Sequence, residues 1–157
     1  MVNGGVRAVT AHRFTNIAPV GSLLKGAVRE KRTKPVRKAR VRDNAHLDAI
    51  RQCPCLNPGC RRDPAGVAAH VRFARADAGK PITGIAVKPD DKWVVPLCPA
   101  CHTDSSDAQH NVGEIAFWNR VGIDPLKISL ALYDASPNVE AMRSIVFFAH
   151  TAASLEN

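Results

Sequence analysis

Aromatic side chains are scarce in this 157-residue chain: two Trp, one Tyr and five Phe, 5% of the total. A domain with so few needs them for burial, so Trp93, Phe117 and Trp118 are expected in the core rather than as platforms for stacked bases. Acidic residues are the second shortage, 14 against 22 Lys and Arg, leaving a formal net charge of +8. That balance favours a polyanionic partner, because basic side chains displace counterions from a phosphate backbone. Long apolar runs are also missing. Nothing approaches the ~20 residues of a spanning helix, so no membrane span is expected, although an anionic membrane surface could use the same charge. The stretch Met1 to Ala18 has Arg7 and Arg13 but no continuous apolar segment ending in a small-residue cleavage site. A soluble, cytoplasmic protein with nucleic acid as leading partner is therefore expected.

What is present divides the chain unevenly. Residues 1–42 are rich in Gly, Val and basic side chains, and from Lys25 to Arg42 nine Lys and Arg face the single acid Glu30. Such density repels itself and has little to bury, which reads as a basic, flexible arm that orders on a phosphate backbone, or as a solubilising tail. Asp43 or Asn44 can cap a short helix ending before Cys53-Pro54. Pro54 to Gly66 is dense in turn residues, Val67 to Phe73 reads as a short strand, and Ala74 to Asp91 as a long loop. Trp93 to Leu97 is a second β-like run, and Cys98 opens a turn into a helix. Three helices then follow: one ending at Gly122, one from Pro125 through Tyr133, and one from Pro137 to about Ala153.

Five cysteines in such a chain suggest metal ligation before disulfides. Cys55-x4-Cys60 and Cys98-x2-Cys101 are two short-spaced pairs on separate turns, which suit a structural zinc that takes four soft ligands in a tetrahedron. Cys53 could replace Cys55 through a Cys53-x6-Cys60 spacing. Three histidines remain near these pairs. His102 follows a cysteine directly, and His110 lies eight residues on, about two helical turns. Both reach one face if the intervening Asp104–Asp107 stretch is regular. A divalent ion on these imidazoles would place a Lewis acid beside a phosphate, while neutral His70 deprotonates the attacking water. Asp104 or Asp107 could add an oxygen ligand, with helix capping as the simpler role for either.

The runs Ala68-Ala69-His70-Val71-Arg72-Phe73, Val95-Pro96-Leu97-Cys98-Pro99-Ala100-Cys101-His102, Ala108-Gln109-His110 and Glu114-x-x-Phe117-Trp118 together carry a resemblance. They resemble the HNH endonucleases related to the phage recombination-enhancement nuclease Ref, as does Gly122-Ile123-Asp124-Pro125-Leu126. The resemblance covers about residues 46–134. It implies an α+β fold with a small ββα-metal core, treble-clef-like, a four-cysteine zinc knuckle and additional C-terminal helices. It also implies a viral or mobile-element source, His70 as general base, His102 and His110 as ligands of a catalytic divalent ion such as Mg²⁺, and the cysteines as the structural zinc site. Two positions depart from the pattern. Ala69 stands where the family usually carries Asp or His, and Trp93 falls where a middle Asn would orient the base.

The expectation is a DNA endonuclease of low sequence specificity, with a catalytically impaired zinc-stabilised nucleic-acid-binding module as the alternative. Its domain would span 43–134 and its last helix, within 135–157, would pack on the domain or on a partner. Arg72, Arg75 and Lys80 beside the catalytic strand, with Arg37, Lys38 and Arg40 on the arm, are the expected phosphate contacts.

Overall fold

The computed structural model describes residues 1, 39–60, 62–83 and 87–155. Its elements are α1 (Asn44–Gln52), β1 (Val67–His70), β2 (Val94–Leu97), α2 (Gln109–Val112), α3 (Glu114–Val121), α4 (Pro125–Ala135) and α5 (Val139–Leu155). The fold is α+β. Single 3₁₀ turns occupy Ala76–Ala78 and Asp91–Trp93, and a π-turn occupies Ala100–Asp104.

Local chemistry sets most boundaries. The Asp43 side chain accepts from the His46 amide at 3.0 Å and caps α1. Asp124 accepts from the amides of Leu126 and Lys127 ahead of Pro125, which suits a first helical turn because proline has no N–H to leave unpaired. Gly122 ends α3 in the left-handed region at φ 72°, where a side chain would crowd its own carbonyl. β1 stops three residues short of the expected Phe73. At that point the Glu114 carboxylate takes the amides of Arg72 and Phe73, at 2.9 and 3.0 Å, and diverts the strand from its ladder.

β1 and β2 form an antiparallel ribbon with Val67 opposite Leu97 and His70 opposite Val94. Four residues per strand at ~3.3 Å each make a ribbon about 10 Å long. One face is covered by α1, and α4 packs on both β2 and α5. Ile50, Val71, Trp93, Phe117, Leu126 and Met142 are completely or almost completely buried between these layers. Trp118 is buried beside Phe117, the two rings meeting edge to face at 4.9 Å, so all three scarce aromatics do lie in the core. α5 packs on the domain: Met142, Val146, Ala149 and Ala153 face inward. Arg143 meets the Asp63 carboxylate through two nitrogens at 2.8 and 2.5 Å, and His150 Nε2 lies 3.0 Å from the Cys55 carbonyl. No helix among the described residues is long and apolar enough to cross a membrane.

Candidate metal and nuclease site

The two ends of the ribbon carry different chemistry. At the Val67–Leu97 end, β2 runs straight into Cys98 and the π-turn brings in Cys101, while the turn after α1 supplies Cys55 and Cys60. Their four Sγ atoms lie within 4.8 Å of one another, with Cys60 and Cys98 at 3.5 Å. Tetrahedral zinc with ~2.3 Å Zn–S bonds spaces its sulfurs about 3.8 Å apart, so this cluster could hold a metal ion such as zinc. Cys53 is not part of it. Its thiol is buried, turned toward the Ala49 carbonyl at 3.5 Å, and burial pushes it up to about 11, which marks an inert core thiol.

Donors already aim at the sulfurs. The Cys98 amide points at Cys55 Sγ at 3.4 Å, the Cys101 amide at Cys98 Sγ at 3.5 Å, and Asn57 Nδ2 at Cys101 Sγ at 3.4 Å. Burial raises Cys55 well above its ordinary range and Cys101 to about 11. For Cys98 burial also acts upward, but the Cys101 amide and the surrounding thiols outweigh it and hold the group below its ordinary value. One thiol held below its ordinary value beside two held above theirs is a set whose charge a cation would balance.

At the other end stands His70, the last residue of β1. Its Nε2 lies 3.0 Å from Asp91 Oδ1. Asp91 opens the 3₁₀ turn that leads into β2 and is 1% exposed. A buried carboxylate needs donors, and Asp91 has three: His70, the Arg40 guanidinium, and the Asp43 amide on Oδ2 at 2.9 Å. Burial acts to raise Asp91, but these partners outweigh it and keep the group below its ordinary value, hence charged. Burial lowers His70 from its ordinary value, and the Asp91 hydrogen bond opposes this only in part. Burial thus favours the neutral imidazole, Nε2 faces the carboxylate, and Nδ1 has no hydrogen-bond partner among the described residues.

His102 and His110 meet with ring centroids 4.5 Å apart and planes at 70°. Their route is not a regular helix. The π-turn ends at Asp104, the chain breaks over 105–108, and His110 sits in the single turn α2. Burial lowers His102, and positive charge on His110, Arg72 or His70 would lower it further, so these groups share one electrostatic neighbourhood. No third side chain joins the two imidazoles: the only group of three or more clustered ligand atoms among the described residues is the four-cysteine set. Asp104 accepts from Thr103 Oγ1 at 2.6 Å, and Asp107 pairs with Arg120 at 3.6 Å. Ala69, where an acidic or imidazole ligand was sought, is 1% exposed against the core.

The basic residues separate by environment. Arg72 is exposed and lines an open hollow with His110, Gln109, Gly113 and Glu114. Arg75 is committed to Asp124 at 2.7 Å and Asp77 at 3.3 Å, which leaves little of its charge for a ligand. Lys80 is 1% exposed, with Nζ donating to the Arg72 carbonyl at 3.1 Å and lying 6.0 Å from the Trp93 ring. It therefore supports the loop after β1 from inside, in place of the exposed phosphate contact expected of it. Arg40 lies against Asp91 and His70; Arg37, Lys38 and the rest of 2–38 fall outside the described residues.

Asp91 and Glu114 were not found by reading the sequence. Trp93, where the resembled pattern carries its middle Asn, lies two residues from the side chain that meets His70, and Glu114 belongs to the resemblance without a role implied for it. His46 was missed too: it is fully buried, edge-on to Tyr133 at 5.0 Å, with both ring nitrogens unpartnered among the described residues and burial holding it below its ordinary value. Comparison of the chain with protein-family models, curated proteins and solved structures found no match. The functional reading therefore rests on this geometry and on the motif residues.

Proposed function

We propose that this protein is a metal-dependent HNH-type endonuclease that hydrolyses DNA phosphodiester bonds with little sequence preference. The observation that carries the reading is the Asp91–His70 pair at the end of a two-stranded ribbon, with the paired imidazoles of His102 and His110 in the same electrostatic neighbourhood. A histidine gripped through one ring nitrogen by a buried carboxylate offers the other as a base of fixed orientation. In the proposed step Nδ1 of His70 takes a proton from water as its oxygen attacks phosphorus in line, forming one P–O bond while the bond to the leaving 3′ oxygen breaks. Asp91 then stabilises the resulting imidazolium, and exposed Arg72 faces the charge on the phosphate. A divalent ion such as Mg²⁺ held by His102 and His110 would supply Lewis-acid stabilisation of that charge. In this reading the four cysteines hold a structural zinc, and residues 1–42, with Arg37 and Lys38, supply salt-dependent affinity for the DNA backbone.

A second reading has specific support: Ala69 is buried and apolar where a ligand is usual, and only two imidazoles pair. This is a zinc-stabilised nucleic-acid-binding module with impaired cleavage. Plasmid nicking in Mg²⁺ or Mn²⁺, with His70→Ala alongside, separates the two. Supercoiled plasmid left intact by wild type under every ion, while binding persists, decides for the second reading. A His70→Ala protein as active as wild type removes His70 from the role of base.

A further inference from the structure

Resting on the reading of His70 as base, we propose that Arg40 is a positioning residue: it acts through Asp91 to set the orientation of His70 and the ring nitrogen left free for chemistry. The observation is a shared acceptor. Asp91 Oδ1 receives both His70 Nε2, at 3.0 Å, and Arg40 Nη2, and the two nitrogens stand 3.2 Å from each other. Oδ2 is taken by the Asp43 amide, so the carboxylate cannot rotate to serve its partners separately. A guanidinium only donates, so Arg40 cannot accept from His70, and Arg40 Nη2 and His70 Nε2 share the one oxygen as their acceptor. The arrangement is satisfied when Nε2 carries the ring proton and donates to Asp91, which assigns the lone pair to Nδ1.

The backbone around Arg40 is held by the same turn that carries Asp91. The Val41 amide donates to Asp90 Oδ1 at 2.9 Å, and the Asp91 amide donates to the Val41 carbonyl at 3.2 Å. The last residues of the basic segment are thus built into the support of the base, and the Arg40 side chain is only 25% exposed. Charge points the same way. Four groups face His70: Asp91 from the 3₁₀ turn favours the imidazolium, whereas Arg40 from the entry segment, Lys88 from the loop and His102 from the π-turn oppose it when charged. A carboxylate by itself would orient the ring and also make it easier to protonate. Arg40 on the same oxygen keeps the orientation and offsets the second effect.

The test uses the full chain as wild type, Arg40→Ala, Arg40→Lys and His70→Ala. Ring-nitrogen NMR reads the tautomer and titration of His70 without relying on activity, and nicking rates across pH give kcat and KM. We expect the Nε2–H tautomer in wild type. In Arg40→Ala the His70 titration and the acid limb of kcat should move up by about one pH unit, lowering kcat by up to about tenfold at pH values below both limbs, with KM within about twofold. Arg40→Lys should recover part of both. Wild-type tautomer and titration in Arg40→Ala, or a change confined to KM, would overturn the proposal and leave Arg40 as a backbone contact. Failure of the parent reading looks different: wild type would not nick, or His70→Ala would nick normally, and the ring-nitrogen spectra would still decide whether Arg40 governs His70.

Discussion

The two ends of one short ribbon are built on opposite principles. At the sulfur end the four ligand atoms are collected to within 4.8 Å, three of the four cysteines are buried, and amide donors already point at thiols. At the imidazole end the groups are half-buried or exposed, no third metal-binding side chain clusters with His102 and His110 among the described residues, and His70 is held by a carboxylate from another element. A closed ligand set suits a structural ion, whereas an open set leaves positions for water and phosphate. About 10 Å of ladder therefore separates a candidate staple from a candidate reaction centre.

The sharpest way to break the contrast is at the sulfurs. Cys98→Ser is expected to abolish tight zinc binding and, with it, cooperative unfolding, since a structural zinc contributes on the order of 10 kcal/mol, comparable to the stability of a whole domain. Metal analysis and a circular-dichroism melt would check this, and a variant that melts like wild type would mean the cluster holds nothing structural. At the other end, His70→Ala should lower nicking by about 10²- to 10⁴-fold and leave metal content and melting nearly unchanged. If it unfolds the protein instead, the two ends are not separable.

pH should distinguish them as well. His46, His70 and His102 are all lowered by burial, so the unfolded chain binds more protons than the folded one below the ordinary histidine value of 6.5. Stability should be fully present above pH 6.5 and decline as pH falls through the lower folded values, read as a falling melting temperature. Nicking should survive to somewhat below pH 6.5, because the neutral base persists there. An acid limb above pH 6.5 would contradict the burial of His70.

Smaller effects test the connections between the ends. Glu114→Ala strands the amides of Arg72 and Phe73 and the Gln109 side chain, which donates at 2.9 Å, and should cost about 3 kcal/mol in urea unfolding. It should also disorder the hollow beside His110. Arg143→Ala removes the paired contact with Asp63 and the bond to the Gln52 carbonyl at 2.9 Å, both largely in solvent, for about 1 kcal/mol. A loss above about 3 kcal/mol would show that α5 holds the knuckle more tightly than its exposed contacts suggest.

The element boundaries were legible because their causes are local. Asp43 before α1, Gly122 after α3 and Pro125 opening α4 each act on backbone groups within a few residues. The cysteine pairs were legible for a similar reason, since each pair lies on one turn, although choosing Cys55 over Cys53 needed the fold. The meeting of His102 and His110 could be raised as a possibility from spacing, but the irregular path across 105–108 shows that helical periodicity was the wrong argument for it. Lys80 was misjudged because charge was taken as a sign of exposure; its ammonium is accepted by a carbonyl eight residues away in sequence.

Composition, charge and short-range spacing by themselves determined two short strands followed by helices, a basic segment, four cysteines suited to a metal, and the helix ends at Asp43, Gly122 and Pro125. These follow from interactions that span a turn or less. The tertiary structure alone decided that Asp91, 21 residues beyond His70, would be its partner, that Arg40, 51 residues from Asp91, would share that oxygen, and that Glu114 would end β1. A buried carboxylate must find donors wherever the packed chain brings them, and no local pattern records which distant segment that will be.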